Sequence, residues 1–164
     1  MRADKLTTKA QETLQEAQQL AVKSGHPELT CAHLLSALLA QEGGLTPLLL
    51  QKMGVEPAGL KARVMLLLDR LPQQSGGNGP HPHSELQKVL AGVEDEAEKL
   101  KDDYVSTEHF LLAMLNVKDD AAELLKDAGV SRSELLKALQ AVRGSARVTS
   151  ATPEAGLQAL EKYS

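Results

Sequence analysis

Cys31 and His33 have the greatest potential for covalent chemistry in this sequence, because an imidazole can activate a neighbouring thiol as a nucleophile. Both residues fall in a stretch that we predict to be helical. Two positions along a helix separate side chains by about 200° around its axis, so this pair cannot make contact. We therefore expect Cys31 to be a small buried residue, and we predict no catalytic residue in the chain.

The sequence "HPH" at residues 81–83 carries two histidines that could bind a metal ion weakly. No further cluster supports such a site, so we predict a loop and no metal. The chain also lacks a G-x-x-x-x-G-K-[ST] loop, and we expect it neither to bind nor to hydrolyse ATP and to need no cofactor. A metal- or thiol-dependent enzyme is a remote alternative, because no acid, base and nucleophile converge.

Charge and composition exclude several classes of partner. The net charge is −4 and the densest charge run, "EDEAEKLKDD" at residues 94–103, is mostly acidic, which argues against nucleic acid. A single cysteine permits no internal disulfide, as is usual in a reducing compartment. The first residues carry no apolar signal-peptide core, and no apolar run approaches the ~18 residues of a membrane span. We expect a soluble, cytoplasmic protein without membrane contact.

One phrase occurs twice, with a spacing of 76 residues from His33 to His109. Each copy has a hydroxyl residue, then two residues, a histidine and an apolar block, as in "TCAHLLSALL" and "STEHFLLAML". Thr30 and Ser106 are suitable N-caps, and each histidine then lies at the third helical position, where its side chain can turn back towards the cap. The phrase therefore predicts the second helix of a repeated unit.

The other helices of the unit also occur in pairs. Capping boxes predict that the first helix opens at Thr8 in one copy and at Ser84 in the other. The third helices are predicted to stop at Gly54 and Gly129, which are followed by valines that can cover the helix end. A fourth helix begins with Pro57 in the first copy and with a serine cap in the second.

These patterns predict an all-α fold of two pseudo-symmetric four-helix repeats, with about eight helices in one domain. Aromatic residues make up only 2% of the chain, so the core must be aliphatic, which favours helix packing. We place the domain at residues 1–143 and a linker with the start of a following segment at 144–164. Within the domain, repeat one is 1–71, the connection is 72–83 and repeat two is 84–143.

The chain resembles the N-terminal domain of the Clp chaperones, most closely that of the bacterial ClpB disaggregases. The likeness covers nearly all of the sequence. It rests on the doubled phrase and on the order and spacing of four shorter pieces. These are "MRADKLT" at residues 1–7, "SALLAQEGG" at 36–44, "RLPQ" at 70–73 and "ALEKY" at 159–163.

The resemblance implies a docking module for unfolded or aggregated polypeptide, carried by an ATP-driven ring of a stress-response chaperone. It implies that ATP is bound only by missing AAA+ modules, which would follow this fragment. It further implies that the parent is a hexamer and works with the DnaK chaperone system through its other parts, whereas we expect the isolated domain to be a monomer. The alternative is the adaptor- and substrate-binding N-domain of a protease-associated Clp unfoldase.

Three site residues are implied by the resemblance and a fourth by the asymmetry of the repeats. The family's functional threonine, aspartate and glutamate match Thr7 in "KLTTK", Asp102 in "LKDDY" and Glu108 in "STEHF". Tyr104 joins them as an amphipathic anchor of the kind that peptide sites favour. We therefore predict these four residues as the substrate-binding site.

The 76-residue offset supports this region independently. It places Asp102 opposite His26, Tyr104 opposite Glu28 and Glu108 opposite Ala32, so the second copy has gained two acids and an aromatic around one helix start. Structural explanations stay open beside the functional one. Glu108 could only complement the helix dipole, Thr7 could be a helix cap and Tyr104 could belong to the core.

Overall fold

The computed structural model of the chain describes residues 3–74, 77, 79–144 and 146–153, and these form two groups of four α-helices joined by short turns. Residues 154–164, which include the end of the predicted linker and the start of the segment predicted to follow it, lie outside the described residues. The predicted all-α fold of two four-helix repeats is confirmed. The helices are α1 (Thr8–Lys23), α2 (Cys31–Ala40), α3 (Thr46–Lys52) and α4 (Pro57–Asp69), then α5 (Ser84–Lys99), α6 (Thr107–Met114), α7 (Asp120–Asp127) and α8 (Arg132–Arg143).

The first helix is capped one residue earlier than the capping box predicts. Thr7, not Thr8, is the N-cap of α1, and its hydroxyl accepts a hydrogen bond from the Ala10 N–H at 3.1 Å. The Thr7 N–H donates to the Val105 carbonyl at 2.9 Å. This tertiary bond holds residue 7 in extended backbone, so the helix can begin only at the next residue.

The second repeat shows the same displacement for the same reason. His83, not Ser84, caps α5, and its own N–H donates to the Leu29 carbonyl at 2.8 Å. The predicted capping-box glutamines, Gln11 and Gln87, instead donate to carbonyls five residues earlier. Both capping boxes were therefore wrong by one residue, because contacts between the repeats decide where the extended backbone stops.

The predicted ends of the third helices are confirmed. Gly54 and Gly129 follow the C-caps of α3 and α7 with φ angles of +75° and +103°, a conformation that side chains with a Cβ rarely adopt. In each repeat the next valine then donates a hydrogen bond back over the helix end, as a Schellman motif requires. These bonds join Val55 to Leu50 at 2.8 Å and Val130 to Leu125 at 2.9 Å.

The two repeats exchange matching contacts. A two-residue parallel ladder pairs β1 (Glu28–Leu29) with β2 (His81–Pro82), and Leu6 forms an isolated parallel bridge with Val105. The 76-residue offset converts one of these pairings into the other. In the same way α3 packs on α8 while α4 packs on α7, so the third helix of each repeat contacts the fourth helix of the other. Such reciprocal contacts are those of a pseudo-twofold arrangement.

The core is aliphatic and continuous across both repeats. The second helices, α2 and α6, are its centre, and every residue of α6 from Thr107 to Met114 is buried. Phe110 is the largest side chain with no exposed surface. The burial of α6 matters for function, because it fixes the side chains at the start of this helix. The predicted domain boundaries remain a prediction.

Within the described part of the chain, no helix combines the length and the apolar character that crossing a membrane would require.

Candidate functional site

The start of α6 holds a buried aspartate–histidine pair. The Ser106 N–H donates to His109 Nδ1 at 2.8 Å, so the ring proton lies on Nε2. His109 Nε2 then donates to Asp102 Oδ2 at 2.7 Å, and neither side chain is exposed. Asp102 reaches this position through a tight turn at Lys101, whose φ is +60°. The predicted return of the histidine side chain towards its cap is confirmed.

Arg143, the last residue of α8, joins the two predicted acidic residues. Its Nη1 donates to Glu108 Oε2 at 3.2 Å, and its Nη2 donates to Asp102 Oδ1. The arginine side chain is only 7% exposed and both carboxylates are buried, so little water screens the three charges. A single guanidinium therefore holds two carboxylates from different turns of the chain.

Hydrogen bonding decides the protonation of Asp102. Burial by itself would raise the pKa of this carboxyl, but hydrogen bonds from His109, from Arg143 and from the Val148 N–H together hold the pKa below its usual range. Asp102 is therefore ionised at neutral pH and balances the charge of Arg143.

The residues after α8 lie against this network, although the sequence predicts a linker there. We call residues 146–153 the C-terminal segment. Its Val148 is 2% exposed and donates its N–H to Asp102 Oδ1 at 2.9 Å. The Val148 carbonyl accepts from the Asp103 N–H at 2.8 Å and from the Tyr104 N–H at 3.3 Å. Three residues further on, the Ala151 carbonyl accepts from the Thr8 N–H at 2.8 Å.

A pocket of about 260 Å³ separates the C-terminal segment from the start of α6. Glu108, Arg143 and Val148 line it together with Leu45. The second carboxylate oxygen of Glu108, Oε1, is buried and has no hydrogen-bond partner among the described residues. The network thus contains an acceptor that the described contacts do not satisfy.

The four predicted site residues occupy two different environments. Thr7 is fully buried as the cap of α1, and Asp102 and Glu108 are buried in ion pairs. Tyr104 alone is partly exposed, and it lines a wider surface pocket of about 470 Å³ whose rim includes Lys5 and Lys101. The structure brings Asp102 and Glu108 together through Arg143, whereas Tyr104 lies on the outer side of the same turn.

Sequence reasoning missed Arg143, although a signal for it exists. The offset of the fourth helices is 75 residues, which places Arg143 opposite the buried Leu68. The second repeat thus has two acids and an arginine at these positions, whereas their counterparts His26, Ala32 and Leu68 include neither a carboxylate nor a guanidinium. A comparison that included the fourth helix would have shown that the two acids had gained a base.

The first repeat has a histidine pair in place of the aspartate–histidine pair. His33 Nδ1 accepts from the Thr30 N–H at 2.9 Å, so His33 Nε2 donates to His26 Nδ1 at 2.8 Å. Burial and the nearby His26 lower the pKa of His33 to about 4. In the second repeat the partner of the histidine is the negatively charged Asp102. In the first repeat the partner is His26, and a positive charge on His33 is disfavoured.

We expect the buried histidine pair to make the free energy of unfolding fall at acidic pH, and we expect His26→Asp to remove this effect. The folded-state pKa of His33 lies below its ordinary value, so its stabilising effect is complete above pH 6.5 and is lost as the pH falls towards 4. Between pH 7 and pH 5 this loss should be about 2 kcal/mol. His26→Asp would provide a carboxylate partner for a protonated His33, and the loss should disappear or change sign.

Urea unfolding at pH 7, 6 and 5 measures the effect. His81→Asp is the control, because His81 is exposed and the substitution makes the same change of charge. An equal pH dependence in both variants would contradict the assignment to the buried pair.

The remaining candidates for chemistry are placed as follows. Burial and the neighbouring Asp119 raise the pKa of the Cys31 thiol, which disfavours the reactive thiolate. His83 is engaged as the cap of α5. Within the described ranges, no three His, Cys, Asp or Glu side chains lie close enough together to hold a metal ion.

Comparison with known proteins assigns the chain to a family. Residues 5–128 match the family model of the Clp repeat (R) N-terminal domain. The chain belongs to this family of Clp N-terminal domains. The resemblance that the sequence predicts is confirmed.

Individual relatives extend the assignment over the whole chain. The domain is 46% identical over 159 residues to the chaperone protein ClpB of Mycobacterium tuberculosis H37Rv, which covers 96% of this chain and 19% of that protein. The chain therefore spans about a fifth of the length of this curated relative.

Solved structures support the fold. The Hsp104 N-terminal domain of Candida albicans matches with a TM-score of 0.80 and 24% identity, over 91% of this chain and 98% of that chain. A ClpV N-domain solved in complex with a VipB peptide matches with a TM-score of 0.68 and 21% identity, over 84% and 86% of the two chains. At these identities the likeness shows that the fold is shared.

Within this Clp N-terminal domain, the family model ends before α8. It includes Asp102, Tyr104 and Glu108 but not Arg143 or the C-terminal segment. Two of the three groups that donate to Asp102, Arg143 and the Val148 N–H, and the arginine that pairs with Glu108 therefore come from a part of the chain outside the matched range.

Proposed function

We propose that this Clp N-terminal domain is the docking module of a ClpB-type disaggregating chaperone and binds unfolded or aggregated polypeptide. The observation that carries the proposal is the exposed side of the turn before α6. There Tyr104 is accessible in an open pocket of about 470 Å³ that also contains Lys5, Glu94 and Lys101. A shallow surface with one aromatic anchor and mixed charges suits weak binding of many different chains.

Two further observations support a polypeptide as the ligand. The backbone around this turn already binds another stretch of chain, because the Asp103 and Tyr104 N–H groups donate to the Val148 carbonyl. In addition, a ClpV N-domain of the same fold has been solved with a bound peptide. In this proposal the ATP-driven step, the hexameric ring and the contact with the DnaK system belong to other modules of a longer cytoplasmic protein, and this domain acts by binding.

A titration of the isotopically labelled chain with reduced, alkylated lysozyme, a permanently unfolded basic protein, tests the proposal. We expect backbone amide shifts around residues 5–9 and 102–110 that weaken with added salt, because the acids that line the open pocket, Glu94, Glu98 and Asp103, attract basic segments. Tyr104→Ala should weaken binding about three- to tenfold without changing the unfolding transition, since an anchor at a peptide site contributes roughly 1 kcal/mol or more.

Glu28→Ala is the matched control for Tyr104→Ala, because Glu28 occupies the corresponding position of the first repeat and is also accessible. It should leave the affinity unchanged. Shifts that gather around residues 26–32 instead, or no shift at any residue, would contradict the proposal.

A further inference from the structure

The C-terminal segment is bound to the domain mainly through main-chain hydrogen bonds, as a peptide ligand could be. Three backbone N–H groups of the domain, those of Asp103, Tyr104 and Thr8, donate to carbonyls of the segment, and the Asp102 carboxylate accepts from the Val148 N–H. One side chain of the segment, Val148, is buried, while its neighbours Arg147 and Thr149 are exposed. The segment is therefore held through its backbone and one aliphatic side chain.

We propose that this segment is a built-in occupant of one part of the polypeptide site, the backbone of residues 102–104 beside the open Tyr104 pocket, and that an unfolded client displaces it by making the same backbone hydrogen bonds. This inference rests on the proposed docking function. Its chemistry requires from the client only main-chain N–H and C=O groups and one aliphatic side chain at the position of Val148. Every polypeptide has main-chain N–H and C=O groups, so the site can accept many sequences.

The geometry of the repeats explains why the site exists once. The residue opposite Asp103 in the first repeat is Pro27, which has no N–H to donate. The residue opposite Asp102 is His26, whose Nδ1 accepts from His33. The first repeat therefore lacks both the donor and the carboxylate that hold Val148, and an extended segment cannot be bound there by the same bonds.

The contacts of the segment also suit it for displacement. One buried valine and a small number of hydrogen bonds hold the segment, including the buried bond from the Val148 N–H to Asp102 and a bond from the Arg143 side chain to the Ala146 carbonyl at 3.2 Å. The conformational entropy of a free chain opposes these contacts. Removing the segment would open one wall of the 260 Å³ pocket and admit water or a basic group to Glu108 Oε1, which has no hydrogen-bond partner among the described residues. Release thus gives Glu108 Oε1 access to a partner, and an N–H group of the client can replace the bond that Asp102 loses from Val148.

Val148→Asp in the chain of 164 residues tests the proposal, because it places a carboxylate in the aliphatic position beside Asp102. Thr149→Asp is the matched control, since it makes the same change of charge at an exposed position of the segment. Amide hydrogen exchange should show that Val148→Asp loses protection at residues 8, 103 and 148 but keeps it in α2 and α6. Thr149→Asp should keep protection at all of these positions.

Binding of reduced, alkylated lysozyme to each variant gives the decisive readout. If the occupant must leave, Val148→Asp should bind about tenfold more tightly than the native chain, because the fraction competent to bind rises, and Thr149→Asp should bind as the native chain does. Val148→Ala, which removes only two methyl groups, should give a smaller gain of roughly threefold. It serves as the test if Val148→Asp fails to fold.

The outcomes separate the two proposals. Unchanged or weaker binding by the undocked variants, with clear binding by the native chain, overturns the built-in occupant and leaves the docking function intact. Equal gains in Val148→Asp and Thr149→Asp also overturn it, because charge alone would then explain the effect. If no form binds the unfolded protein, the docking function fails, and the occupant fails with it.

Discussion

Arg143→Met is expected to lower the free energy of unfolding by about 3–5 kcal/mol. Methionine retains most of the apolar stem of the arginine but removes the guanidinium that holds Asp102 and Glu108. Both carboxylates are buried, and Asp102 would keep only His109 and the Val148 N–H as partners. The large cost arises because two carboxylates would stay buried without a positive partner. It does not measure the net stabilisation that the intact ion pairs contribute. Urea unfolding at pH 7 measures it.

The first repeat provides the design of the rescue. The triple variant Asp102→His, Glu108→Ala, Arg143→Leu installs the residues that occupy the corresponding positions there. It should unfold within roughly 1–2 kcal/mol of the native chain, because no buried charge is left unpaired.

The exposed Arg63→Met is the control for loss of an arginine and should stay within about 0.5 kcal/mol of the native value. A cost below about 1 kcal/mol for Arg143→Met would mean that water screens the network in solution.

Phe110→Ala is expected to cost about 3–5 kcal/mol, the usual range for truncating a large core side chain. Phe110 has no exposed surface and lies in α6, which is buried along its whole length, so the surrounding helices cannot easily close the cavity. Thermal and urea unfolding should both show the loss.

Phe110→Leu is the matched control. Leu34 occupies the corresponding position of the first repeat and is also buried, so this environment of the fold accepts leucine. The substitution should cost less than about 1.5 kcal/mol. A loss in Phe110→Ala no greater than in Phe110→Leu would show that the core relaxes around the cavity.

The prediction that four residues form the substrate-binding site has to be interpreted differently in the structure. Thr7 caps a helix, and Asp102 and Glu108 are buried partners of Arg143, so each has a structural task that accounts for its residue type. These tasks do not exclude function, because the same residues determine the shape of the turn that presents Tyr104. Substitutions at the buried positions will nevertheless change stability as well as binding. Tyr104 and Val148 are therefore the cleaner probes of a docking site.

Local signals in the sequence determined the helical architecture. The histidine that follows Thr30 and Ser106 by three residues, the apolar blocks behind it and the glycines at 54 and 129 act within a few residues of each other. A helix cap and a glycine with a positive φ angle both stabilise a helix end through contacts with backbone groups a few residues away. For that reason the second and third helices could be predicted twice from the sequence, and the duplication itself became visible.

Tertiary contacts decided what local signals could not. Thr7 rather than Thr8 caps α1 because the Thr7 N–H is bound by the carbonyl of Val105, which lies in the other repeat. Arg143 meets Asp102 and Glu108 across 41 and 35 residues of sequence, and no helical periodicity encodes that distance.

The C-terminal segment is the clearest case. Its small, polar residues are typical of a linker, and they have no regular pattern that predicts burial. It is ordered by the carboxylate of Asp102 and by backbone donors of Thr8 and Asp103, which come together only after both repeats have folded. The polar groups that bind this segment become neighbours only when the domain folds. No local sequence pattern could therefore predict where the segment binds.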